Sequence, residues 1–188
     1  MSEKLENATF AGGCFWCTEA IFKRLRGVES VEPGYTGGDP HTDGENPTYE
    51  KVSMGNTNYA EAIQITFNPK IISYEKLVKI FFNTHNPTTL NQQGSDVGTQ
   101  YRSAIFFENE KQKEIAQKIK DEFNKDNHYG KNAVTTIKSL DKFYKAESYH
   151  QNYYEKNKDN PYCTIVIDPK IRKLIKEYSS DLKEDYKE

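Results

Sequence analysis

ATFAGGCFWCTEAIFKRL, residues 8–25, changes its apolar period half-way along. Its first six residues read as a short buried strand that ends in two glycines. Phe15, Trp16, Ala20, Ile21 and Leu25 then recur at near-helical spacing. A strand therefore runs into a helix that starts around Cys14, and the thiol sits in the connecting turn. Working outward, VESVEPGY reads as a strand and YAEAIQITFNP as a clearer one, stopped by Asn68-Pro69. SYEKLVKIFFNTH is a helix capped by Ser73, with Leu77, Val78, Phe81 and Phe82 turned inward, and Asn86-Pro87 closes it. RSAIFFE is a strand, and Asn109 can cap a helix carrying Ile115, Ile119 and Phe123. Beyond it, AVTTIKSL is expected as a strand, AESYHQNYYEKN as a helix and CTIVIDP as a strand.

Single helices thus interleave with strands, which predicts an α/β (α+β) chain: a two-layer sandwich of helices on a mixed sheet, with a split-βαβ, ferredoxin-like core. Two polar stretches, roughly residues 34–58 and 85–101, are longer than such a core needs. Long loops of this kind are expected to carry function. The 188 residues fit one domain, with a tail expected to fray from about residue 179.

A net charge of -2, with both signs mixed along the chain, argues against a nucleic-acid partner. The N-terminus lacks the basic head and apolar run of a signal peptide, and no window approaches a membrane span, so a cytoplasmic monomer without a membrane partner is expected. Three cysteines are too few and too odd in number for a disulfide-stapled scaffold. Four scattered histidines offer no helical metal-ligand spacing, so no metal is expected.

Cys14 is the first candidate for chemistry. A thiol in the first turn of a helix faces unpaired N–H groups, which favours the thiolate and predicts a lowered pKa. The glycines at 12 and 13 let backbone or ligand approach it closely. Glu61 is the second, because strict alternation places it on the face of Ile63, Ile65 and Phe67. Two readings stay open: a buried carboxyl held protonated, or a strand end where Glu61 reaches water. Tyr49 and Tyr101 end the two long loops, where their phenols could converge on a ligand.

These residues carry a resemblance. GGCFWCTEAIF resembles the signature of the peptide methionine sulfoxide reductase A family. GYTGG, NPTYEKV, AEAIQITFNP, HNPTTLNQQGSDVGTQYRSAIFF, AESYHQNYY and NPYC follow in the family's order, over about residues 8–168. The resemblance implies reduction of the S epimer of methionine sulfoxide, free or in proteins, by a thiol-dependent oxidoreductase. By it, Cys14 is the nucleophile, Phe15 and Trp16 line the pocket for the S-methyl group, and Glu61, Tyr49 and Tyr101 are donors to the sulfoxide oxygen. Asp96 supports the substrate.

The resemblance also implies a sulfenic acid on Cys14 that a second thiol condenses to a disulfide. No cofactor is bound, and an external dithiol such as thioredoxin restores the thiols. Cys163, with Tyr162 beside it, matches the family's usual resolving position and is favoured. Cys17, where many members carry glycine, is the alternative or a relay thiol. Three other readings are a thioredoxin-like disulfide oxidoreductase using the CxxC pair, a binding module for methionine-containing peptides, and a hydrolase pairing Cys14 with His150.

Overall fold

A computed structural model describes residues 4–187. The strands are β1 (Glu6–Gly12), β2 (Val28–Thr36), β3 (Ala60–Phe67), β4 (Gln92–Gln93), β5 (Asp96–Val97), β6 (Ser103–Phe107), β7 (Thr136–Ser139) and β8 (Tyr144–Lys145). The helices are α1 (Phe15–Phe22), α2 (Pro40–Asp43), α3 (Tyr49–Ser53), α4 (Tyr74–Thr84), α5 (Glu110–Asp126), α6 (Tyr153–Lys156) and α7 (Asp168–Tyr178). No helix among the described residues is long and apolar enough to cross a membrane.

The large sheet has the order β7-β6-β1-β3-β2-β8. Its centre, β6-β1-β3-β2, is antiparallel throughout. Helix α1 carries the chain from β1 to β2 across the place filled by β3, and α4 carries it from β3 to β6 across β1. This is the expected split-βαβ core. After α5, β7 joins β6 in parallel, and β8 closes the far edge antiparallel to β2, so the sheet is mixed.

Strand alternation divides the two faces. Phe10, Ile63, Ile65, Phe67 and Ile105 enter the main core with Ile21 and Phe22 of α1 and Leu77, Val78, Ile80, Phe81 and Phe82 of α4. Burying each such side chain stabilises the fold by about 1.5–3 kcal/mol before entropy is counted. The opposite face carries small residues, Ala11, Ala62 and Ala104, with Phe106 under Leu140 and Phe143. The two expected caps are in place: Ser73 Oγ accepts from the Lys76 N–H at 3.1 Å and Asn109 Oδ1 from the Gln112 N–H at 3.0 Å.

Three segments depart from the expectations. CTIVIDP is helical: Cys163–Ile167 forms a π-helical turn that runs into α7. Cys163 and Ile167 are buried while Ile165 is 72% exposed, a helical and not an alternating pattern. Packing of this turn against α1 overrides the strand preference of a β-branched run. AESYHQNYYEKN is not one helix but a 3-10 turn at Ser148–His150 followed by the short α6. Asn152, with φ of 60°, separates them, and Gln151 is spent on the carbonyls of Pro33 and Ala146. The segment after Tyr178, expected to fray, is tied down: Leu182 is fully buried and bridges to Leu25, and the Lys183 N–H donates to the Arg24 carbonyl at 2.9 Å.

Candidate active site

Cys14 is the cap residue of α1, as the change of period predicts, but its side chain caps nothing. The first free helix N–H, that of Phe15, is taken instead by Glu61 Oε2 at 3.0 Å. Glu61 reaches it because β3 faces α1 with the Ile63 side of the strand. A residue of Glu61's parity must therefore lie beneath the helix start. Of the two readings left open, the structure gives the buried one: Glu61 is 2% exposed. Burial pushes its carboxyl up to about 8, with Asp96 and Cys17 raising it further and the single Phe15 N–H opposing. Near pH 7 it is mostly a neutral acid able to donate.

The turn that presents Cys14 depends on its glycines. Gly13 has φ of 91°, and a Cβ there would meet the Gln93 side chain at 2.7 Å. At Gly12 a Cβ would meet the Phe81 ring at 2.7 Å. The strand end therefore lies directly on α4 and on the 85–101 loop.

Cys14, Phe15, Trp16, Tyr49, Glu61, Asp96, Tyr101 and Tyr162 line one cavity of about 220 Å³. The sequence thus named every lining residue except Tyr162, which it had noted only as the neighbour of Cys163. A larger cleft of about 550 Å³ opens at the other end of the sheet, among Lys4, Ser73, Tyr74, Glu108 and Asn109, but no thiol lines it. Chemistry, not size, distinguishes the two.

The aromatic wall is held from outside the signature. Trp16 Nε1 donates to His150 Nδ1 at 3.0 Å, and the indole stacks on Tyr153 with centroids 3.6 Å apart and planes at 4°. An accepting Nδ1 places the ring proton on Nε2, so His150 holds Trp16 and does not serve as a base for Cys14. Burial lowers its pKa, which keeps it neutral for this task. Glu147 Oε1 accepts from the Tyr49 N–H and its Oε2 from the Tyr35 hydroxyl, both at 2.8 Å. Gln100 Nε2 donates to the Ser53 carbonyl at 3.2 Å, joining the Tyr101 turn to α3. Sequence reading missed these supports because each acts across the fold. The one local signal was their position beside residues already singled out.

The cysteines are all reduced, buried and in one cluster. Cys14 and Cys17 shift each other's thiols. The expected lowering at Cys14 is not found: burial first, then Cys17 and Glu61, raise its thiol well above the ordinary range, outweighing the helix terminus. The lowered member is Cys17, at about 7, where the neighbouring Cys14 thiol, Lys170 and Tyr162 outweigh burial. Tyr162 bridges outward, its hydroxyl 3.8 Å from Cys17 Sγ and donating to Asp96 Oδ2 at 2.7 Å. Cys163, favoured from sequence as the resolving thiol, is fully buried and does not line the cavity. Its thiol is raised by burial and by the charges of Asp168 and Cys17, and it packs in the same cluster as Cys14 and Cys17.

Comparison with known proteins points to one family. The family model described as peptide methionine sulfoxide reductase matches residues 6–183. A relative from Saccharolobus solfataricus, the peptide methionine sulfoxide reductase MsrA, is 52% identical over 179 residues, covering 95% of this chain and 98% of its own. The crystal structure of reduced Mxr1 from Saccharomyces cerevisiae is 36% identical, with a TM-score of 0.77 over 85% of this chain and 90% of that one. Mxr1 in complex with Trx2 matches at 27% identity and a TM-score of 0.54, over 77% and 82%. With a family model matched over residues 6–183 and a relative 52% identical over nearly the whole of both chains, this chain belongs to the peptide methionine sulfoxide reductase family.

Proposed function

We propose that the protein is a peptide-methionine (S)-S-oxide reductase, repairing oxidised methionine free and in proteins. The observation that carries the reading is the convergence of Cys14 and the protonated Glu61 in one aromatic-lined cavity of about 220 Å³. A methyl sulfoxide needs an apolar wall for its methyl and donors for its oxygen. Phe15 and Trp16 supply the first, and Glu61, Tyr49 and Tyr101 the second. Burial raises both phenols, so they stay protonated donors at any physiological pH.

The dithiol pair loses its first proton near pH 7 and keeps the second. Transfer of that proton from Cys14 to Cys17 leaves a thiolate on Cys14, which attacks the sulfoxide sulfur while Glu61 protonates the oxygen. The S–O bond breaks, the hydroxyl oxygen passes to Cys14 Sγ as the transient bond between the two sulfurs breaks, and the thioether leaves reduced by two electrons, with Cys14 as a sulfenic acid. Cys17, one helical turn from Cys14, then condenses with the sulfenic acid to a disulfide and releases water. Their i, i+3 spacing at a helix start leaves the Cα atoms inside the roughly 7 Å limit for a bridge. Cys163, in the same cluster, takes the disulfide onward, and an external dithiol of the thioredoxin type restores all three thiols. Asp96, through Tyr162, anchors the cavity's outer wall.

A thioredoxin-like oxidoreductase would need the CxxC pair but neither a protonated carboxyl nor phenols aimed at Cys14. One equivalent of methionine S-sulfoxide, added to reduced protein without reductant, tests the reading. It should yield methionine and a Cys14–Cys17 bridge by peptide mapping, passing to Cys17–Cys163. No methionine from enzyme with all thiols reduced refutes the activity; a Cys14–Cys163 bridge as the first product refutes the order.

A further inference from the structure

His150 fixes the edge of the Trp16 indole, but the ring that covers its face, Tyr153, belongs to α6, a helix of four residues. So short a helix is not stable alone, and its place is set by what fastens it. Three residues of α1 and the turn after it do so. Glu19 accepts from the Asn152 and Tyr153 N–H groups, Lys23 Nζ donates to Asn152 Oδ1, and Arg24 Nη2 donates to Glu155 Oε1 at 3.0 Å. Arg24 stands two residues past the end of α1 and is 5% exposed. A guanidinium buried this deeply has to be engaged on every side. Its Nη1 donates to the Ala20 carbonyl, and its Cζ lies 5.0 Å from the Tyr154 ring centroid and 4.7 Å from that of Tyr186. Tyr186 comes from the C-terminal segment, residues 179–187, which is laced to the chain around Arg24. The Arg26 N–H donates to the Asp181 carbonyl at 2.8 Å, the Lys183 N–H to the Arg24 carbonyl at 2.9 Å, and Lys183 Nζ to the Lys23 carbonyl at 2.9 Å. Neither Arg24 nor any residue of this segment lines the substrate cavity.

We infer that Arg24 is a positioning residue for the methyl-binding wall of the cavity, and that the C-terminal segment acts on substrate binding through it. The inference rests on the sulfoxide reductase reading above. The contacts run from Tyr186 to Arg24, through Glu155 to α6, and through Tyr153 to the face of Trp16. Tyr154, the other ring on Arg24, donates to Asp168 Oδ1 at 2.7 Å, so the start of α7 is tied to the same centre. Cys14 and Glu61 stand outside this path, because the bond from the Phe15 N–H to Glu61 joins the start of α1 directly to β3. Loosening Arg24 therefore displaces the wall that takes the methyl group and leaves the reacting thiol and the acid in place. Such a change weakens ground state and transition state alike, which raises the half-saturating concentration and spares the rate at saturation. A residue that only held the fold together would lower stability and move neither the half-saturation nor the environment of Trp16.

The test is single-turnover reduction of N-acetyl-methionine sulfoxide without reductant, with half-saturating concentration and limiting rate measured separately, alongside Trp16 emission. Arg24→Gln should raise the half-saturating concentration about three- to tenfold, the scale of one aromatic contact, keep the limiting rate within about twofold, and move the emission to longer wavelength. Arg24→Lys keeps a cation for Glu155 and should restore half-saturation to within about twofold of wild type. Tyr186→Ala, which alters neither α1 nor α6, should move both readouts in the same direction by about twofold, the scale of one exposed cation–π contact, and decides the matter if Arg24→Gln does not fold. Variants that melt earlier in urea but keep wild-type half-saturation and emission overturn the inference. So does a loss confined to the limiting rate. If wild type leaves the sulfoxide unreduced, the reductase reading falls, and the emission of the same variants still decides whether Arg24 holds the wall.

Discussion

Two buried carboxylates lie on either side of α1, and they behave differently. Glu61 sits beneath the helix start in the cavity, accepts a single N–H and is pushed up to about 8. Glu19 lies one turn along, at the joint with α6, and is 4% exposed. It accepts from the N–H groups of Asn152 at 2.7 Å and Tyr153 at 3.3 Å, while Lys23 and Lys156 add favourable charge. Burial raises Glu19 too, but four opposing influences restrain it. Depth alone does not make a proton donor. A buried carboxyl becomes one where the fold withholds donors, and becomes a structural tie where the fold supplies them.

The sharpest way to break this comparison is to replace each carboxyl by its amide. Glu61→Gln should slow formation of the Cys14 sulfenic acid by about 10²–10⁴-fold in single-turnover assays, the usual span for losing a general acid. Glu19→Gln should change that rate by no more than about twofold, and equal losses would show that Glu61 acts only through packing.

The pH profile comes next. The single-turnover rate should rise as the thiol pair loses its first proton near pH 7 and fall as Glu61 ionises near pH 8. The amide at 61 should remove the falling limb and keep the rising one.

Stability gives a third contrast. Glu61 has a folded pKa above its ordinary one, so it imposes no penalty below about pH 4.5. The penalty grows as pH rises through the window to about 8, because only the unfolded chain ionises there. In urea melts at pH 9, Glu61→Gln should therefore be more stable than wild type by roughly 2–4 kcal/mol, and at pH 4 the two should agree. The same sign at smaller size is expected for Glu19→Gln: its carboxyl is raised too, but two N–H groups and two lysines restrain the rise, so the gain at pH 9 should fall below that of the Glu61 amide. The smallest expected effect is optical. The chain has one tryptophan, stacked on Tyr153, whose N–H Glu19 holds. Glu19→Gln should shift the Trp16 emission by a few nanometres, on the order expected for a loosened stack; an unchanged spectrum would detach Glu19 from the aromatic wall.

Much of the fold is legible in residues 8–25 and 59–84. Amphipathic periods and caps act locally, and Ser73 and Asn109 open their helices as spacing predicts. The failures cluster where packing overrides local preference. CTIVI has the composition of a strand, but Cys163 and Ile167 are buried at helical spacing in a turn packed on α1. The YHQNYY segment surrenders a continuous helix because Gln151 and Asn152 are held by β2 and α1.

The amino-acid order alone determined that Cys14 caps a helix, that Glu61 shares the apolar face of its strand, and that a signature with aromatics between two thiols lies at the start of α1. Period and spacing encode all three. Only the tertiary structure decided that burial keeps Glu61 protonated, that the three thiols share one buried cluster, and what holds Trp16. Those depend on desolvation and on partners more than a hundred residues away in the chain, such as His150 for Trp16 and Asn152 for Glu19. No local pattern records them, because burial and distance arise only when β3, α1 and the C-terminal segment close on one another.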